Sequence, residues 1–592
     1  MTYTAKDFNK FCNESAEQFL QTVVVIDNEA VFCDAPCKIA EQNEVVQQVV
    51  EPPAGALGVQ NVQPALVGEQ VAALPLVEAD EPGGNVNNPK EDLGKNILKA
   101  KPLIDAFADK GVVCSIIRPD LAEEKVVERS IALASVADIV VVDWALGKTQ
   151  DEAEDRRASE IIKGIIEGDL KKQGRLRLIA VYTAEGNPAT ILDSLYEHIQ
   201  GLVYPDPIIK DTAKFTIQNR FLKIVILLKT AAGEHIPNIK PVDFDSLPEK
   251  LQELFAELNS GLLPSVTLRA IAAIREGTHH LLAVLHKDLD SALIGHRCLL
   301  PHPEDAEEFC EDLVAGEIRS ILALKQIGKE YAGEKQNEMW VASRLDGDGT
   351  MHYGELRASP EQISDLLSKG EEDRHKLFKS KVKNEWAVRN NKKAEKAPSF
   401  EANLIPQFLH GDEAEGTKVN YEFARLSSFK REAFGLRQPI TDWLPKLTLG
   451  TVLQRIKDGK IFLCLQPRCE SVRLDKNEMH VFPFLEIERG KQKECIIVNT
   501  VGADGEPIEK KLFFESKPKN QAIFQFKCIL GDSITAKNKG NFYIFSALRT
   551  KFYWLGDLKD PHAQNIVGKM SDEVGSVGIN PYEWQRRLGK NT

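Results

Sequence analysis

The sequence predicts a multi-domain protein with an N-terminal doubly wound α/β domain, a middle all-α domain and a C-terminal α+β domain carrying a mainly antiparallel sheet. Three observations predict it. The chain has 592 residues, enough for several domains at roughly 100–200 residues each. β-Branched apolar runs alternate with amphipathic stretches up to about residue 235, and the apolar spacing then turns helical. From about residue 445, short strand-like segments are separated by turn residues.

The first strand is read in TVVVIDNEAVF (22–32), an apolar run ending in acidic and amide residues, as in a buried strand of a parallel sheet. VVCSII (112–117), ADIVVVDWAL (137–146), LRLIAVYT (176–183) and FLKIVILLK (221–229) repeat the pattern. Between them, 96–111, 128–138 and 155–174 read as amphipathic helices. Strand and helix in alternation define a sheet covered on both faces. A βαβ unit takes roughly 30 residues, so the stretch over 33–95, rich in Pro, Gly, Asn and Val over 51–92, is expected to be an inserted loop. The expected units are 1–235 for the α/β domain with this loop, 236–345 for the helical domain, 346–420 for a charged helical and linker segment, and 421–592 for the α+β domain. In the helical domain, Pro264-Ser265 is read as a helix start, with Leu268, Ile271, Ile274, Leu281 and Leu285 as one apolar stripe. In the third segment, 365–386 reads as a solvated helix and KKAEKAPSF as a linker.

Composition narrows the function classes. Lys and Arg number 75 against 88 Asp and Glu, a net charge of −13, so no global attraction to nucleic acid or anionic lipid exists. No window reaches the roughly 18 apolar residues of a membrane span, and the greasiest run, Ile224 to Leu228, stops at Lys229. The N-terminal segment has no apolar core of a signal peptide, and a cytoplasmic location is expected. Ten Cys are too sparse for a disulfide scaffold, and Cys33/Cys37 and Cys464/Cys469 lack a partner pair at zinc-site spacing.

In open parallel sheets ligands bind beyond the carboxyl ends of the strands. Here those ends read Asp27-Asn28-Glu29, Asp143-Trp144, Thr183-Ala184 and Lys229. Two carboxylates crowded together repel unless a hard cation lies between them, which suits Mg²⁺ with oxygen ligands. Such a site is suited to in-line attack on a phosphoryl group. Asp143 would be the nucleophile, Lys229 would neutralise the equatorial oxygens, and Thr183 would hydrogen-bond one of them.

VVVIDNEA (23–30), VVVDWALG (140–147), VYTA (181–184) and ILLKT (226–230) resemble the strand-end motifs of the receiver domain of two-component response regulators. The resemblance covers roughly 20–232 with the loop set aside. It implies a flavodoxin-like fold, Mg²⁺ held by Asp27, Asn28, Asp143 and the carbonyl of Ala145, and a histidine kinase as phosphodonor. The sequence departs from the family's pattern at Asn28, where a second carboxylate is usual; an amide oxygen there implies weaker metal affinity. Ile226 stands where many receivers carry a switching aromatic, so Thr–aromatic coupling is not the expected output, and Thr230 replaces the usual Pro. Segments 461–474 and 552–570 resemble large receiver proteins encoded beside histidine kinases in bacterial anti-phage defence. That resemblance implies a phosphate sink acting in a defensive two-component system.

The expected partners are therefore the kinase, an effector response regulator and a further copy of the chain, with no membrane and with nucleic acid disfavoured. A phosphorylation-independent pseudo-receiver scaffold is the alternative reading, and a C-terminal effector enzyme is the third. Weaker motifs have plain explanations. Asp346-Gly-Asp348-Gly-Thr350 spells a phosphatase-like DxDGT and is expected to be a hairpin turn. Gly147-Lys148-Thr149 lacks the earlier glycine of a P-loop. His280, pointing away from the apolar stripe, has the placement of a phosphotransfer histidine, although a surface pair with His279 is the commoner case. His296 and His302 have no third metal ligand at usable spacing.

Overall fold

The computed structural model describes residues 3–31, 98–119, 125–146, 153–172, 174–184, 187–204, 206–230, 240–368, 374–401, 404–435, 437–439, 443–487, 495–514 and 520–576. The loop expected over 33–95, Cys33, Cys37 and the Gly147-Lys148-Thr149 motif lie outside these residues.

The chain enters through helix α1 (Ala5–Phe19), whose first turn is fixed by the Asp7 carboxylate accepting the Thr4 backbone N–H at 2.7 Å. After it come β1 (Thr22–Ile26), the two-residue β2 (Ala30–Val31) and β3 (Leu98–Lys99), α2 (Ala100–Ala108), β4 (Val113–Ile117) and α3 (Val126–Ala134). The domain continues with β5 (Ile139–Val142), α4 (Ala153–Leu170), β6 (Arg177–Thr183), α5 (Pro188–Ile199), β7 (Ile209–Asp211), β8 (Thr216–Gln218) and β9 (Leu222–Leu228). They build a seven-stranded sheet in the order β4-β1-β5-β6-β9-β8-β7. The first five in that order are parallel, the doubly wound arrangement the sequence predicts, and β8 and β7 add to its edge antiparallel. That edge hairpin lies in the chain between β6 and β9.

Alternation along each strand feeds two cores. Val23, Val25, Val141, Ala180 and Leu227 face one layer with Leu103 and Phe107 of α2. Val24, Ile26, Val142, Val181 and Ile226 face the other, against Ile161, Ile165, Leu192 and Leu195 of α4 and α5. At the opposite end of the sheet from the candidate site, Arg177 is fully buried. It pairs with Asp169 and donates to the carbonyls of Ala134, Ala137 and Ser135, so no donor on its guanidinium head group faces apolar surroundings alone.

The first core does not stop at residue 235. Helix α6 (Leu247–Leu258) supplies Leu247, Leu251, Leu254 and Phe255 to it, and α7 (Leu262–Glu276) adds Leu268. The helical segment is thus joined to the α/β sheet through shared apolar packing across the boundary expected there. The apolar stripe differs from the one read in the sequence. Ser265, Leu268, Arg269, Ala272 and Ala273 are buried, whereas Ile271 is exposed. The helix also stops at Gly277, so Leu281 and Leu285 do not continue the α7 face. A Cβ on Gly277 would lie 2.9 Å from Ile321, so the absence of a side chain allows that close approach. Small residues and Arg269 are buried because α7 packs on α1, where Arg269 Nε donates to Ser15 at 3.1 Å.

The segment over 346–420 is folded, not a solvated helix and linker. Helix Arg374–Arg389 buries Phe378, Val382 and Trp386, spaced four apart among charged residues. Phe400, within the stretch read as linker, meets Phe378 and Phe408 with ring centroids 6.0 and 5.5 Å away. DxDGT is not a hairpin turn. It joins helix Glu334–Ser343 to strand Met351–Tyr353, and Asp348 accepts from the Thr350 N–H and hydroxyl.

The C-terminal eight-stranded sheet is antiparallel throughout its pairings. An isolated bridge between Phe526 and Ala547, with the Leu548 N–H donating to Gln525 at 2.9 Å, curls its edge back on itself. Among the described residues no helix is long and apolar enough to cross a membrane.

We expect Phe255→Ala to destabilise the N-terminal sheet by about 3–5 kcal/mol. Hydrogen exchange of β6 and β9 amides in the full chain under mild denaturant measures this; unchanged protection would show that α6 is only peripheral.

Candidate functional site

The site lies where the parallel strands end, and the ladder register assembles it. Ile26 pairs with Val142, and Val142 with Val181. One residue further on, the Asp143 N–H donates to the Ile26 carbonyl at 2.9 Å and the Asp27 N–H to the Ile117 carbonyl at 3.1 Å. Thr183 closes β6, and its carbonyl accepts the Lys229 N–H at 2.8 Å. Each side chain therefore leaves the last bonded position of a strand buried on both faces, which leaves its backbone little freedom.

Lys229 reaches between the two carboxylates. Its Nζ is 2.9 Å from Asp27 Oδ2 and 2.9 Å from Asp143 Oδ2, and all three side chains are buried. Sequence reasoning placed a hard cation between Asp27 and Asp143; in the structure the Lys229 ammonium bridges them. Asp27 Oδ1 also accepts the Glu29 N–H at 2.8 Å, and Arg118 Nε donates to the Asn28 carbonyl at 3.0 Å. Thr183 is fully buried beside this group, and Ala145, two residues beyond Asp143, is half-buried.

Burial dominates the electrostatics. It pushes the Asp143 carboxyl up to about 6; Lys229 opposes this and the Asp27 charge adds to it. Burial also works against the Lys229 ammonium, yet Asp143 and Asp27 together outweigh it and hold its pKa above the ordinary lysine value. Two acceptors in the site have no hydrogen-bond donor among the described residues, Asn28 Oδ1 and Asp143 Oδ1. Buried oxygens in that condition fit a hard cation with oxygen ligands, so the donor set suits Mg²⁺. Among the described residues there is no cluster of three or more His, Cys, Asp or Glu arranged to hold a metal.

The structure adds Tyr182, which sequence reasoning passed over. Its ring lies 5.6 Å from Lys229 Nζ, and its hydroxyl donates to the Val242 carbonyl at 2.8 Å. Burial raises its pKa, and nearby Asp243, Asp27 and Asp143 add to the rise, so it stays a neutral donor. A signal was present: a tyrosine inside a strand buried on both faces needs a partner for its hydroxyl. Nothing in the sequence marks Val242 as that partner. The weaker candidates are not brought to the site. His280 lies on the short helix Thr278–Val284, 3.9 Å from Glu317, and His296 lies tilted against Phe309 with ring centroids 4.7 Å apart.

The sequence model of the response receiver domain family matches residues 19–234, which span β1 to β9 and every residue of this cluster. No curated protein and no solved structure gives a significant match. Residues 19–234 are thus a receiver domain, a class whose role in response regulators is to accept a phosphoryl group, and whose general phosphodonor is a histidine kinase.

Because burial raises Asp143 above its unfolded value of 3.8 to about 6, the native protein holds that proton more tightly than the unfolded chain. Stability contributed by this group is therefore present at low pH and lost as pH rises through about 6. Asp143→Asn, which cannot ionise, should gain on the wild type between pH 5 and pH 8, by on the order of 2 kcal/mol. Paired urea melts at the two pH values measure this, and a constant difference would contradict it. Tyr182→Phe should cost about 1 kcal/mol and speed amide exchange over 240–247, read by mass spectrometry.

Proposed function

We propose that the protein accepts a phosphoryl group on Asp143 from a partner histidine kinase and acts as a phosphate sink or regulator of a separate effector. The observation that carries this reading is the buried cluster itself, with Lys229 held 2.9 Å from both Asp27 and Asp143 while Asp143 Oδ1 has no donor among the described residues. An Asp143 carboxylate oxygen would bond to phosphorus as the donor's phosphorus–nitrogen bond breaks and the freed imidazole regains a proton. Lys229 would neutralise charge on the transferred group, and the Thr183 hydroxyl would hydrogen-bond one of its oxygens. Asp27, Asn28, Asp143 and the Ala145 carbonyl would hold Mg²⁺, which when bound supplies further neutralisation of those oxygens. The setting in anti-phage defence rests on the sequence resemblance of 461–474 and 552–570.

Phosphate-affinity electrophoresis of the full chain with Mg²⁺ and acetyl phosphate, then with the cognate kinase, tests the reading. One retarded, acid-labile species is expected in the wild type and none in Asp143→Asn. Lys229→Met should slow its formation by at least about tenfold, the effect of losing one buried charge contact of roughly 1.4 kcal/mol or more. Silence of the wild type with both donors would establish the pseudo-receiver scaffold instead.

A further inference from the structure

Charge is unevenly distributed along the chain. The whole carries −13, yet residues 429–576 contain 24 Lys and Arg against 18 Asp and Glu, and 510–551 contain nine against two. At one rim of the C-terminal sheet lies an open groove of about 610 Å³, lined by Arg455, Lys457, Ile523, Phe524, Leu548 and Arg549 among others. Its walls are set by backbone pairing, since the Leu548 N–H donates to Gln525. Arg455 is committed to Asp458 at 2.9 and 2.6 Å. Lys457 and Arg549 form no ion pair among the described residues. Between these cations, Ile523 and Leu548 are 68% and 62% exposed.

Cations beside exposed aliphatic side chains fit an acidic amphipathic helix. Single-stranded nucleic acid would instead require aromatic faces open for stacking. The ring in this groove, Phe524, is committed to the core, with Phe462, Phe484 and Phe552 at centroid distances of 5.1, 5.3 and 4.9 Å.

The chain itself presents such a helix. Residues 278–325 hold nine Asp and Glu against four Lys and Arg. Their longest helix, Asp305–Leu324, buries only Ala306 and Ile321. Phe309 and Leu313, one turn apart, are exposed on it, and Asp312, about 60° from Phe309 around the helix axis, has no ion pair among the described residues. Its first turn is already bound to the basic domain of its own chain, through Asp305 to Arg473 and through Glu308 to Arg468 at 2.7 Å. The two surfaces complement each other in charge and in apolar character.

We propose that the protein self-associates by seating the Phe309/Leu313 face of helix Asp305–Leu324 from one copy in the Lys457/Arg549 groove of a second. A reciprocal exchange of the two contacts gives a closed two-fold dimer. The contact uses no residue of the Asp143 site, so it stands apart from the phosphoacceptor reading.

Sedimentation velocity of the full chain tests it, with Lys457→Glu/Arg549→Glu as the groove variant and Asp312→Lys as the helix variant. All three positions are exposed or at the groove rim, and circular dichroism melts serve as the control for folding. The wild type should dimerise at low salt and weaken by about tenfold or more on raising the salt. Each variant alone should be monomeric at concentrations where the wild type is dimeric. Mixing the two should restore a dimer, because both contacts regain opposite charges. A wild type that stays monomeric at about 100 μM, which corresponds to binding weaker than roughly 5 kcal/mol, would overturn the proposal. So would variants that dimerise like the wild type, or a mixture that stays monomeric. Binding of a labelled single-stranded oligonucleotide that is lost in the groove variant would assign the groove to nucleic acid and overturn the proposal as well.

Discussion

The buried contact of Lys229 with Asp27 and Asp143 is the constraint on which the receiver domain depends. Two carboxylates and one ammonium, withdrawn from water together, leave one surplus negative charge, and a buried charge without compensation is strongly unfavourable. The surplus can be relieved by a proton on Asp143, which its raised pKa reflects, or by a cation at the two oxygens without donors, Asn28 Oδ1 and Asp143 Oδ1. A phosphoryl group added to Asp143 would alter the same balance. The chemistry of the site and the stability of the sheet are therefore two consequences of one electrostatic arrangement.

That arrangement is connected to the rest of the chain through Tyr182. Its ring lies against Lys229 and its hydroxyl holds Val242, which forms a bridge with Lys229 and leads into α6. α6 in turn shares its core with β5, β6 and β9. The position that commonly bears a switching aromatic is Ile226, buried in the other core. In this chain the aromatic next to the lysine comes from the neighbouring strand and faces the helical segment. The Asp143 site and the region beyond the receiver are thus joined by contacts that are both apolar and hydrogen-bonded.

Contacts with the C-terminal sheet are of another kind. Where the acidic helix Asp305–Leu324 meets it, the joint consists of Arg468 and Arg473 with Glu308 and Asp305. Ion pairs of this exposed type contribute little stability each and weaken with salt. An apolar joint on one side of the helical segment and a polar one on the other favour a rigid union with the receiver and a looser one with the C-terminal sheet.

The sequence by itself determined the parallel strands and the residues at their ends, because a strand buried on both faces must be a continuous β-branched run and its first polar residues mark where it leaves the core. Asp27, Asp143, Thr183 and Lys229 were legible for that reason, and so were four of the eight strands of the C-terminal sheet, Ile461–Cys464, Met479–Ile487, Gln521–Lys527 and Phe542–Ser546. Only the tertiary structure decided what depends on contacts between residues distant in sequence. It set Lys229 between the carboxylates, gave Tyr182 its partner in Val242, and carried the receiver core across residue 235. It also folded the charged stretch around Phe378, Val382, Trp386 and Phe400, whose sparse apolar stripe is outweighed locally by lysine and glutamate. The α7 face was misread for a related reason. Local periodicity favours the larger Ile271 and Ile274, but close packing on α1 selects the smaller Ala272 and Ala273.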